Sequence, residues 1–204
     1  MNTSVQTPIL TPVQTAETPA PAVKAGFGKK FLLGLLILVV LFLVTYALAW
    51  YNANLLATRF FQDAEASYKA GNFLDALVGY QKFDNPTNKY INYGGYLNVE
   101  KIWSSYYSWP LPSYAVQAMA RSQEIINQKL TVQQAEQYIK DNTGRPGTPY
   151  FAEIYLRLGG LYEQTGDTKD AIDVYQSYAA QFPDRKDLIA LAQQRLAALQ
   201  SKTK

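Results

Sequence analysis

Cysteine and histidine are both absent from the 204 residues. Their absence excludes disulfide staples, zinc–thiolate centres, cysteine nucleophiles and every mechanism that needs an imidazole base. Excess charge is scarce as well: 19 Lys and Arg stand against 16 Asp and Glu, a net charge of +3. A nucleic-acid binder needs a clustered basic face, so no nucleic acid is expected as a partner. No G-x-x-x-x-G-K-[ST] phosphate loop occurs, and Gly26-Phe27-Gly28 lacks the third glycine and the strand of a dinucleotide fingerprint. No Ser and Lys stand in a catalytic motif. Asp167, Asp170 and Asp173 share a face at a helix start, where carboxylates favour the helix dipole, and no further ligand completes a metal site. No catalytic residue, cofactor or metal is therefore expected. Aromatic residues, by contrast, are abundant at 14%, with 16 tyrosines.

The chain begins with a Thr-, Pro- and Ala-rich stretch in which Pro8, Pro12, Pro19 and Pro21 forbid a helix. Residues 1–29 are expected to form a disordered cytoplasmic tail. Phe31–Trp50 follows without a charge, and fourteen of its twenty residues are Leu, Ile, Val or Phe. As a helix it spans about 30 Å, the hydrocarbon thickness of a bilayer. Those fourteen favour insertion by about −5 to −6 kcal/mol. Residues 30–51 are expected to cross the membrane, with the lipid bilayer as partner of Phe31–Trp50 and with Trp50 and Tyr51 at the interface. Lys24, Lys29 and Lys30 precede the span, whereas Arg59 is soon balanced by Asp63 and Glu65. The positive-inside rule predicts a plasma (inner) membrane protein with a cytoplasmic N-terminus and an extracytoplasmic domain. Ala47-Leu48-Ala49 has the form of a cleavage site, but the n-region and apolar run are too long for a signal peptide, which predicts a signal-anchor.

Neither Gly nor Pro occurs between Gly34 and Gly71. The apolar helix is expected to run unbroken into the next segment and to end near Ala70, with Gly71 as its stop. Farther on, Tyr155, Leu158, Gly159 and Tyr162 lie on one helix face, Gly166-Asp167 forms a turn, Ala171 and Tyr175 share the next face, and Pro183 ends the unit. That is an antiparallel helix pair in which Gly159 and Ala171 let two backbones approach.

This pattern resembles the tetratricopeptide repeat, W-x2-L-G-x2-Y…G…A-x3-F…P over 34 residues. Tyr155 stands for the Trp, Tyr175 for the Phe, and Tyr178 replaces a usual small alanine. Phe60, Ala64, Gly71, Ala76 and Tyr80 form a weaker copy whose second helix is expected to run to Asp84-Asn85-Pro86. The Phe182-Pro183-Asp184 ending looks like bacterial envelope members of the family. The resemblance implies a groove lined by the first helix of each repeat, and so a protein or peptide partner at Glu153, Leu156, Gly160 and Glu163, and at Phe61, Glu65 and Tyr68.

Between the two copies the pattern is weak. Ser113–Lys129 and a helix opened by a Thr131/Gln134 capping box read as a hairpin, and Gly144-Arg145-Pro146-Gly147 as a loop. Tyr90–Tyr114 is dense in aromatics. It reads either as a stacking surface for a peptide, a glycan or lipid headgroups, with Trp103, Tyr106 and Trp109 as contacts, or as satellite core. The helical spacing of Trp103, Tyr106 and Tyr107 favours core. Leu188–Leu199 reads as a terminal capping helix.

The expected fold is all-α: one transmembrane helix followed by a TPR-like helical-repeat domain. After the tail and span come a helix pair at 52–86, an aromatic-rich insertion and helical hairpin at 87–150, the repeat at 151–185 and a capping helix at 186–204. The expected role is a non-enzymatic, membrane-anchored protein-binding scaffold. A structural subunit of a membrane complex and a glycan-binding wall module are the alternatives.

Overall fold

The computed structural model describes residues 26–105 and 108–202. The expected tail lies outside them up to residue 25, and residues 26–29 are already helical. The chain divides into two units, Met1–Tyr46 and Ala47–Lys204.

Helix α1 (Gly26–Lys69) is continuous, as the lack of Gly and Pro predicts. In the first unit its Leu, Val, Ile and Phe side chains from Phe31 to Val44 are all exposed. The hydroxyl of Thr45 donates to the Leu41 carbonyl at 2.8 Å, so this polar group is satisfied within its own helix. Among the described residues α1 is the one helix long and apolar enough to cross a membrane.

In the second unit α1 ends where the glycine signal puts it. The Gly71 amide donates to Tyr68 and the Asn72 amide to Ser67 (3.0 and 2.9 Å), with Gly71 at φ 80. This is the paired bonding that closes a helix on a left-handed residue. The next helix, α2 (Phe73–Val78), is only six residues long. The expectation that it reaches Asp84 fails at Gly79, whose φ of 80 takes it out of helical space. The chain becomes an antiparallel hairpin instead, β1 (Tyr80–Asp84) with β2 (Lys89–Tyr93), Tyr80 opposite Tyr93. The Tyr80 and Tyr93 rings stack 4.7 Å apart and the Phe83 and Tyr90 rings meet edge-on at 5.1 Å, and such cross-strand aromatic pairs stabilise a hairpin.

Helix α3 (Tyr96–Trp103) and helix α4 (Ser113–Glu124) pack on each other. A wider π turn, Ile125–Lys129, extends α4 and buries Ile125 and Ile126. Thr131 and Gln134 make the reciprocal cap that opens α5 (Val132–Asn142). Helices α6 (Phe151–Thr165), α7 (Thr168–Gln181) and α8 (Lys186–Lys202) complete a stack of hairpins in which α5 packs on α6, α6 on α7, and α7 on α8. The fold is thus all-α apart from one β-hairpin.

The tyrosines hold the stack together. Hydroxyls of Tyr68, Tyr96, Tyr150, Tyr162 and Tyr175 donate to Glu124, Glu65, Glu100, Glu136 and Glu163, each on another helix. Each ring buries area while its hydroxyl reaches a charged acceptor, an interaction worth about 1.5–3 kcal/mol. Tyr178 is buried and donates to the Ala152 carbonyl at 3.2 Å. That ring fills the space where a repeat with alanine would bring its helices closer.

Candidate protein-binding surface

The α6–α7 hairpin shows why small residues recur in it. A Cβ on Gly159 would lie 2.6 Å from the Tyr175 ring, so the two helices meet at that glycine. Ala171 is fully buried. The Gly166 and Asp167 amides donate to Glu163 and Tyr162, the same closure as at Gly71 and Asn72.

The predicted groove residues are only partly available. Leu156 and Gly160 are buried between helices. Glu163 accepts from Tyr175 and from Arg195 of α8 (3.2 Å), and Glu153 accepts from Arg185 at 2.7 Å. In the first hairpin Phe61 packs its ring against Tyr96 and Tyr114. Glu65 accepts from Tyr96 at 2.6 Å. Tyr68 donates to Glu124 under the Arg121 guanidinium, 4.4 Å from its ring. The Tyr68 hydroxyl, and then Arg121, hold the Glu124 carboxyl below the usual carboxylate range. These side chains therefore join helix to helix.

The aromatic segment divides. Tyr96 and Trp103 are buried, Trp103 against Trp50 (5.7 Å) and Tyr114. Burial removes Trp103 from any stacking surface. Trp109 is 76% exposed. Tyr106 lies outside the described residues.

A cleft of about 1350 Å³ opens at the N-terminal end of α6. Its walls are α3 (Leu97, Glu100, Lys101), the loop from Asn142 to Tyr150, the first turn of α6, and the turn from Gln181 to Arg185 that follows α7. Tyr150 opens α6 in a left-handed conformation (φ 55) and donates to Glu100 Oε2 at 2.8 Å. Burial, and then Glu100, push the Tyr150 hydroxyl up to about 12. Glu100 Oε1 is buried without a hydrogen-bond partner, and a buried carboxylate oxygen is costly to leave unpaired. Arg185 bridges Glu153 and Asp187 (2.7 and 3.3 Å). Lys101, Arg145 and Arg185 line it together with Glu100, Glu153 and Asp184 and with the apolar Leu97, Phe151 and Phe182, so the cleft offers both charges beside apolar surface. Of the predicted residues it contains only Glu153. Glu100, Lys101 and Tyr150 escaped the sequence reading because α3 has no repeat signature. The Gly/Pro loop at 144–147 and the Pro183 turn were the available signals. Among the described residues no group of Asp and Glu could hold a metal ion.

The tetratricopeptide repeat family model matches residues 152–199. The match takes in α6 and α7, the pair that the sequence pattern picks out, and extends through most of α8. The chain therefore has a long apolar N-terminal helix and a TPR-like helical-repeat region. Repeats of this kind build extended concave surfaces that bind proteins. No curated protein and no solved structure matches the chain.

Proposed function

We propose that this protein is a non-enzymatic scaffold, anchored by Phe31–Trp50 in the plasma (inner) membrane, that holds a protein or peptide partner near the outer face. The observation that carries the binding role is the repeat match at 152–199, with the cleft at the same hairpin's edge. Glu100 Oε1, unpaired in the cleft wall, favours a partner that supplies a donor there. The anchor rests on the length and apolarity of α1, and the orientation on Lys24, Lys29 and Lys30 before the span. The same rule supports a cytoplasmic tail and an extracytoplasmic domain, and the Phe182-Pro183-Asp184 ending supports an envelope setting.

The test is photocrosslinking in intact cells from p-benzoylphenylalanine in place of Arg145, with Gln176 on α7 as the comparison site. The proposal expects a discrete adduct from position 145, weakened by Glu153→Lys. Equal labelling from both positions contradicts a cleft-borne partner. A partner that stays stoichiometric with the uncrosslinked protein through purification in mild detergent favours a structural subunit over a reversible scaffold.

A further inference from the structure

Residues 102–120 contain no charged side chain, and Lys101 and Arg121 bound the stretch. Its central connection, between α3 and α4, returns to α1 at the last residue of the apolar run. The indole Nε1 of Trp50 donates to the Pro110 carbonyl at 3.1 Å. One turn later on α1, Asn54 Oδ1 accepts from the Tyr114 hydroxyl at 2.9 Å. Pro110 and Pro112 stiffen the backbone between these two ties.

Trp109 and Leu111 flank Pro110 in the chain. They are therefore held close to Trp50. Both face solvent, 76% and 41% exposed, and Tyr51 and Leu55 of α1 expose a further 55% and 52% of their area. An exposed Trp and Leu on an uncharged, proline-stiffened loop suit the headgroup–acyl boundary, where tryptophan concentrates and charge is costly.

We infer that the 108–112 loop is a second membrane contact, with Trp109 and Leu111 entering the interface of the leaflet that Trp50 meets. The inference rests on the reading of Phe31–Trp50 as a membrane span. The contact is apolar, so it does not depend on anionic lipid or on salt.

The chain has no cysteine, so single substitutions give single labels. The full-length protein carries a nitroxide at Ser108→Cys, Leu111→Cys, Val39→Cys or Gln176→Cys, reconstituted in phosphatidylcholine–phosphatidylglycerol vesicles. Electron paramagnetic resonance then reads collisions with lipid-soluble oxygen and with a water-soluble nickel chelate. At positions 108 and 111 the oxygen-to-nickel ratio is expected to exceed that at 176 several-fold, unchanged in high salt. Adding Trp109→Ala to the position-108 label should lower the ratio several-fold, with the circular dichroism spectrum unaltered. Ratios at 108 and 111 equal to that at 176 would place the loop in water and overturn the inference. Shielding from both reagents would mean protein cover and overturn it equally. If position 39 is open to nickel, the span itself is wrong and the inference falls with it. Oxygen-dominated collisions at 39 beside nickel-dominated ones at 108 and 111 sink the loop contact alone.

Discussion

The two helix hairpins of this protein begin alike and end differently. In both, a glycine at positive φ closes the first helix and the following amide completes the closure, Gly71-Asn72 after α1 and Gly166-Asp167 after α6. After Gly166 the chain forms a helix of 14 residues, and after Gly71 one of six. A hairpin turn is thus a local property, set by a glycine and its neighbours. The length of the returning helix depends on what it meets. Helix α7 presents Ala171, Val174, Tyr175 and Tyr178 to α6 without interruption. Helix α2 reaches Gly79, and the chain then has a better use for Tyr80 and Phe83 in a β-hairpin, opposite Tyr93 and Tyr90.

The sharpest way to break this contrast is Gly79→Ala. Its Cβ would lie 2.5 Å from the Tyr93 carbonyl at a φ of 80, joining backbone strain to a clash with main chain. A loss of about 4 kcal/mol is expected in urea unfolding of the detergent-solubilised full chain. Gly159→Ala comes next. Its Cβ meets the Tyr175 ring and Val174, side chains that can give way, so about 2 kcal/mol is expected. Gly71→Ala and Gly166→Ala should cost the least, about 1 kcal/mol each for positive φ alone. Nothing lies within 4 Å of either added Cβ. Equal costs at 71 and 166 would support the shared turn, and a large difference would show that the two are only superficially alike.

The smallest effect is spectroscopic. Burial pushes the Tyr138 and Tyr178 hydroxyls from 10.0 up to about 12, and Tyr150 likewise, with Glu100 adding to it. A pKa raised in the folded state stabilises below the unfolded value and is lost as pH rises above it. Stability should therefore hold up to about pH 10 and decline above it. Part of the phenolate absorbance should appear only as the chain unfolds. A titration in which all tyrosines ionise together near 10 in the folded protein would contradict the burial of these hydroxyls.

What could be read from the sequence follows the same division. The apolar helix, its continuation to Gly71, the α6–α7 pair and the Thr131 cap are coded by residues close in the chain, and each is legible there. The β-hairpin was not, because Tyr80 fits the repeat spacing as well as it fits a strand, and pairing with Tyr93 decides between them. The cleft was not legible either. It is assembled from α3, the loop before α6 and the turn after α7, and of the predicted contact residues only Glu153 lines it. The predicted groove residues Leu156 and Gly160 have the right spacing, but helical spacing alone does not separate a groove from a helix–helix contact. Trp103 and Trp109 make the same point: six residues apart in one aromatic segment, one is buried and the other exposed.

The account as a whole depends on where α1 resides. Alkaline carbonate extraction of membranes from cells making the intact chain tests this most directly. The full-length polypeptide is predicted to stay with the membrane pellet, as a chain held by a lipid-spanning helix must. Recovery of the uncleaved chain in the supernatant would contradict the anchor, and with it both the address and the proposed role.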